Sequence, residues 1–181
     1  MPFISKTGLS LYFASNRAGG FGGLDLWVSQ RASLDSPWGT PQNLGQNINT
    51  AANEQCAHLP PDGHTLLFAS TREGSLGEHD LYVARRRNQP DDFGWDFPES
   101  LGGGVNTASN ELTPGYLETE DGTIVLYFLS NCPIGRKVLA ARIFMPASWA
   151  MREPLARRSW FPSSAAAPTT CSPLPVEMVW S

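Results

Sequence analysis

A short aromatic-rich phrase occurs three times along this chain, and its spacing restricts the fold more than any bulk property. Leu11-Tyr12-Phe13-Ala14-Ser15 returns as Leu66-Leu67-Phe68-Ala69-Ser70 and again as Leu126-Tyr127-Phe128-Leu129-Ser130, at steps of 55 and 60 residues. Other markers keep the same order. Asp25-Leu26-Trp27-Val28 returns 55 residues on as Asp80-Leu81-Tyr82-Val83, and Asn49-Thr50-Ala51-Ala52-Asn53-Glu54 returns as Asn106-Thr107-Ala108-Ser109-Asn110-Glu111. Trp38, Trp95 and Trp149 are each followed six residues later by a leucine: Leu44, Leu101 and Leu155. Four markers in a fixed order at near-equal steps define a repeated supersecondary unit.

Each unit reads as four short strands. In the second unit they fall at about 54–60, 65–70, 80–85 and 96–101, with the turn Pro61-Asp62-Gly63 after the first. Equivalent second strands are expected at 9–15, 65–70 and 123–130. Gly8, Gly63 and Gly122 sit at matching turn positions, where a positive φ excludes most side chains. The Leu-x-Phe runs are apolar on both faces, as in strands covered on each side by a neighbouring sheet. Such a unit cannot hide both faces alone, and radial stacking hides them. The expected fold is therefore all-β: propeller blades of four-stranded antiparallel sheets, about three of them, in an incomplete ring. They fall at about 1–44, 49–101 and 106–155.

The succession Asn-Thr-x-x-Asn-Glu, Pro-Asp-Gly, Leu-Leu-Phe-Ala-Ser-x-Arg and a glycine-rich loop before Asp-Leu-Tyr/Trp-Val resembles the WD40-like propeller repeats of TolB-type proteins. The resemblance covers about residues 2–155 and implies a ring of more blades than three. It also implies a periplasmic or cell-envelope setting and a role as an interaction module. After Leu155 the pattern stops. Residues 156–181 are rich in Ser, Ala and Pro and are expected to be a low-complexity, disordered tail. That break, and a first unit lacking its Asn-Glu element, read as a truncated or frame-shifted product. Three blades leave a bare apolar face at each end, so self-association through those faces is expected.

Bulk properties narrow the partners. Thirteen basic and 17 acidic residues give a net charge of −4, which argues against a nucleic-acid partner, since that needs a basic face. Cys56, Cys132 and Cys171 form neither a zinc pattern nor a disulfide framework. No run of 18 apolar residues marks a membrane span, and the first residues carry no signal-peptide pattern.

Candidate site residues come from the repeat. Asn53, Glu54, Asn110 and Glu111 begin the innermost strands. Glu54 and Glu111 can face the central channel, where a carboxylate ring suits a cation such as Ca²⁺, or they can cap turns. Arg17 with Asp25, and Arg72 with Asp80, read as ion pairs bracing the loop between strands two and three. The third unit loses both members together, to Cys132 and Lys137. Cys56 and His58, two apart on a strand, point to one face. His58, His64 and His79 lack metal-ligand spacing, no nucleophile elbow is present, and Gly19–Gly23 lacks the lysine of a phosphate loop. No catalytic or metal residue is assigned. The expected function is a non-catalytic scaffold that binds a protein or peptide. The alternatives are a fragment of a propeller-containing hydrolase, a peptidase or a carbohydrate-active enzyme, and a non-functional truncated product.

Overall fold

Each recurrence of the Leu-x-Phe phrase forms the second strand of an antiparallel sheet. The computed structural model describes residues 1–118, 120, 124–131 and 137–143, and these contain eleven strands and no helix. Blade one is β1 (Phe3–Ile4), β2 (Ser10–Ser15), β3 (Asp25–Gln30) and β4 (Gln42–Asn43), paired in that order. Blade two repeats it with β5 (Glu54–His58), β6 (Thr65–Ser70), β7 (Asp80–Arg85) and β8 (Glu99–Ser100). Blade three is seen as β9 (Glu111–Glu118), β10 (Ile124–Ser130) and β11 (Lys137–Ile143). These sheets are β-propeller blades, and they do not close a ring. The expected fourth strand of blade three and the 156–181 tail lie outside the described residues, as does Gly122.

The register repeats with the sequence. Phe13 pairs with Trp27 and Phe68 with Tyr82. All six residues of β6 are buried, because both of its faces are covered. Leu66, Phe68 and Tyr82 pack with Tyr12, Leu26 and Val28 of blade one. Leu67, Ala69, Leu81 and Val83 pack with Leu126 and Phe128 of blade three. Two stacked cores thus replace the single alternating face of an isolated sheet.

Fourth strands are shorter than the sequence led us to expect, only two residues each. A side chain takes over the remaining pairing. The Asn49 amide accepts from Leu26 N at 2.8 Å and donates to Leu26 O at 2.9 Å. Asn106 does the same to Leu81, at 2.8 and 3.0 Å. Each amide thereby stands in for a missing peptide group, so the outer edge of the sheet stays hydrogen-bonded after the chain has left it.

The loops before β3 and β7 dock on the next blade. Glu54 N donates to Leu24 O at 2.6 Å, and Glu111 N donates to His79 O at 2.7 Å. Gly22 and Gly77 make this approach possible. A Cβ on Gly22 would run into the Ala51 and Ala52 backbone, and one on Gly77 into the Ser109 carbonyl.

Replacing Asn49 or Asn106 with alanine should leave a buried leucine N–H without a partner, while the leucine C=O keeps its bond from Leu44 N or Leu101 N. Each substitution is expected to cost about 2 kcal/mol, read from the urea midpoint at constant slope. An unchanged midpoint would contradict the surrogate-strand role.

Candidate functional site

The first strands form the inner edge from which the blades fan out. Phe3 of β1 meets the ring of His58 of β5 at 4.6 Å between centroids. Thr113 Oγ1 of β9 lies 3.8 Å from Cys56 Sγ of β5. Cys56 and Thr113 are equivalent, and both adopt a left-handed backbone, with φ of 56° and 54°. The register shifts at each, so both inner strands carry a bulge. This overturns the expected common face for Cys56 and His58. The bulge breaks the alternation, so that Cys56 packs toward blade three while His58 stacks toward blade one. Burial lowers the His58 pKa below the ordinary histidine value. Gln55, Cys56, His58, Thr113 and Tyr116 are half-buried along this inner edge.

Glu54 and Glu111 do not open onto a channel. Both are 0% exposed. Glu54 accepts from Thr50 N and Thr50 Oγ1, both at 2.8 Å, and from Ser70 Oγ at 2.7 Å. Glu111 accepts from Thr107 N, Thr107 Oγ1 and Ser130 Oγ at 2.8–2.9 Å. These carboxylates cap the turn that enters the strand, and their lone pairs are committed to it. Asn53 Oδ1 accepts from Leu24 N at 2.9 Å, and Asn110 Oδ1 lies 3.0 Å from His79 Nδ1, so both asparagines join neighbouring blades. Among the described residues, no group of three His, Cys, Asp or Glu side chains could hold a metal ion.

Neither expected ion pair forms. Arg17 lies over the Phe13 and Trp27 rings at 4.8 and 5.2 Å, and Arg72 over Phe68 and Tyr82 at 5.2 and 4.7 Å. Arg72 instead reaches Glu54 at 3.4 Å and donates to Ile48 O of the preceding segment at 2.6 Å. Burial lowers its pKa, against the opposing pull of Glu54. The aspartates turn into their own loops. Asp25 accepts from Phe21 N at 2.6 Å and Asn43 Nδ2 at 2.8 Å, and Asp80 accepts from Leu76 N and Gly77 N at 2.8 and 3.1 Å. At Asp80 two loop N–H groups, one on each oxygen, take the place of an arginine, whereas Asp25 Oδ1 is buried without a hydrogen-bond partner.

A second feature escaped the sequence reading. A cleft of about 600 Å³ lies between blades one and two, with Leu9, Leu59, Pro60 and Pro61 along its wall and Lys6 and Arg31 among its cations. At its base Asp92, from the loop after β7, reaches across the joint. It accepts from Ser10 Oγ at 2.6 Å, Gln30 Nε2 at 2.8 Å, Arg86 at 2.6 Å and the Tyr12 hydroxyl. Arg86 is held over Trp95 at 4.5 Å and donates to Gly63 O at 2.8 Å. Burial pushes the Asp92 pKa up, but hydrogen bonds from Ser10, Tyr12, Arg86 and Gln30 outweigh it and hold the carboxyl below its ordinary value. Burial, reinforced by Asp92, raises the Tyr12 phenol. The sequence signal was an arginine after strand three followed by Asp-x-x-Trp, present at Asp35–Trp38 and Asp92–Trp95.

No protein-family model matches the chain, and no curated protein does. Among solved structures, the chain is similar to the endo-arabinase from Bacteroides thetaiotaomicron VPI-5482, with a TM-score of 0.57 and 14% identity. The match covers 81% of this chain and 56% of that one, so the chain spans little more than half the length of its structural neighbour. At this identity the likeness establishes the propeller fold, and the TolB-type resemblance is not extended by it. No helix among the described residues is long and apolar enough to cross a membrane.

Two predictions test the electrostatics. Asp92→Ala strands a buried arginine and should cost about 3–5 kcal/mol at pH 7. Because the folded carboxyl pKa is depressed, that contribution is complete above the unfolded pKa. The gap between wild type and variant should therefore shrink as pH falls below about 4. For His58 the unfolded chain binds its proton first, so stability should fall as pH drops through about 6.5. His58→Phe should flatten the loss of melting temperature between pH 7 and pH 5, and equal losses in both proteins would rule this out.

Proposed function

We propose that these blades form part of the wall of a carbohydrate-active propeller, supplying sugar contacts from their first strands. The observation that carries this reading is the composition of the inner edge. Gln55, His58, Thr113 and Tyr116 leave amide, imidazole, hydroxyl and aromatic groups partly open there. These groups suit a polyhydroxylated ligand, which needs planar hydrogen-bonding groups and a ring to lie against. The structural likeness to an endo-arabinase supports the same substrate class.

The reading assigns binding to these strands, not bond cleavage. Glycoside hydrolysis uses two carboxyl groups about 5–9.5 Å apart. Among the described first-strand residues, Glu54 and Glu111 are consumed in turns and Glu118 is the one exposed carboxylate. Cleavage therefore needs a carboxyl group from outside these strands.

A peptide-binding scaffold is the second reading, favoured by the cleft between blades one and two. Its Leu9, Leu59 and Pro60 wall with Lys6 and Arg31 suits an apolar peptide carrying an acidic residue.

Titration calorimetry with linear arabino-oligosaccharides separates the two. Binding is expected, with His58→Ala and Tyr116→Ala each weakening it about tenfold or more, a loss typical of an anchoring contact. Lys6→Glu should leave it unchanged. Absence of binding at millimolar sugar would overturn the carbohydrate reading, and retention of acidic peptides lost in Lys6→Glu would favour the scaffold.

A further inference from the structure

The cleft between blades one and two carries a charge that its own structure does not use. Asp92 closes its floor, bonding to Ser10 and Gln30 of blade one and to Arg86 of blade two. Arg86 and Asp92 are both buried, and their charges cancel. Two cations remain on the lining, Lys6 and Arg31, and no second carboxylate joins them. Asp62 and Asp91 lie in the adjoining loops but are committed to their own turns. Asp62 caps His64 and Thr65, and Asp91 accepts from Phe93 N.

The wall is mainly apolar. Leu59 and Pro60 are buried and Leu9 is half-buried, with Pro61 and Pro90 alongside them. Proline has no N–H, so Pro60, Pro61 and Pro90 offer no backbone donor. The serine hydroxyl and the Gln30 N–H at the floor are already spent on Asp92. A polyol would find few open partners here, whereas an apolar body loses water against the wall. Arg31 is fixed by the Trp38 ring at 4.4 Å and by donation to Gly8 O and Leu34 O at 2.7 and 2.8 Å. Its Nη2 makes no hydrogen bond among the described residues. Lys6, in the turn after β1, is exposed on its flexible stem. The volume, about 600 Å³, is that of a small-ligand site.

We propose that this cleft binds an apolar group ending in a carboxylate. The apolar body lies against Leu9, Leu59 and Pro60, and the carboxylate sits at Lys6 and Arg31. Blade one supplies the cations and blade two most of the apolar wall, so the site exists only where the Asp92 staple joins them. The inference rests on the cleft of the scaffold reading and narrows it to one chemistry. It holds whether or not the inner edge binds sugar. A free amphiphilic acid and the acidic side chain of an apolar peptide both present this chemistry.

Proton–nitrogen NMR spectra of the full chain, titrated with phenylbutyrate, phenylbutanol and phenylbutylamine, test the proposal. The three probes share an apolar body and differ in the charge of the head. The acid is expected to bind at about 1 mM or tighter, the alcohol more weakly and the amine most weakly. Shifts should centre on the amides of Thr7, Gly63 and Gln89, which line the cleft. Lys6→Glu, at an exposed residue, should weaken the acid about fivefold, and added salt should weaken it too. His58→Ala, on the inner edge, should leave it unchanged. A blocked Leu-Pro-Glu peptide separates the two sources: tighter binding than the free acid assigns the carboxylate to a peptide, weaker binding to a small acid. No binding of the acid at about 10 mM, equal binding of acid and amine, shifts centred outside the cleft, or an acid affinity untouched by Lys6→Glu would each overturn the proposal and leave the sugar reading standing. Loss of sugar binding with the acid still bound would overturn the sugar reading alone.

Discussion

The turn Asn-Thr-x-x-Asn-Glu is the constraint on which the rest of the structure depends. Its glutamate is removed from water and held by the threonine four residues earlier and by the serine that ends the next strand. A buried carboxylate without those donors would be severely unfavourable. Fixing it sets where the inner strand begins. The two asparagines of the same turn then close the outer edge of the blade behind it and catch the loop before that blade's third strand. One six-residue segment therefore fixes a strand start, a sheet edge and a blade-to-blade joint. Its recurrence is what makes successive blades stack in the same way.

Most of the fold was legible because it depends on local pattern. The Leu-x-Phe runs marked strands two within a residue of where they lie, and Asp80–Arg85 coincides with β7. What failed depended on information that spacing does not hold. Matched recurrence of Arg17 with Asp25, and of Arg72 with Asp80, shows that each residue serves the blade, but not that they serve it together. The aspartates found backbone donors nearby, and the arginines found rings and carbonyls. Cys56 and Thr113 gave no cue for a left-handed backbone, which in most turns is the province of glycine or asparagine. The Asp92 network joins residues 62 to 82 positions apart across the two blades, and these partners could be found only once blade one and blade two were in contact.

The inner edge and the cleft between the first two blades differ in how committed their polar groups are. At the base of the cleft the carboxylate has four donors and the arginine stacks on a tryptophan, which makes it rigid and strongly structural. Along the inner edge the side chains are half-open, and the backbone is strained at two equivalent bulges. Strain of this kind persists only where surrounding packing imposes it, and here the bulge sends Cys56 and His58 toward opposite neighbouring blades. This contrast is the ground for our proposal that the inner strands bind the sugar ligand, while the loop staple joins blades one and two.

The brevity of the fourth strands has an effect beyond the sheet itself. A long unpaired edge offers a row of N–H and C=O groups to any passing strand. Here β4 and β8 are two residues long, and beyond them the pairing is completed by the Asn49 and Asn106 side chains, which present no further ladder outward. The rim of blades one and two is thereby a poor template for cross-β growth, so their strongly strand-forming phrases sit behind an edge that offers a passing strand little to pair with.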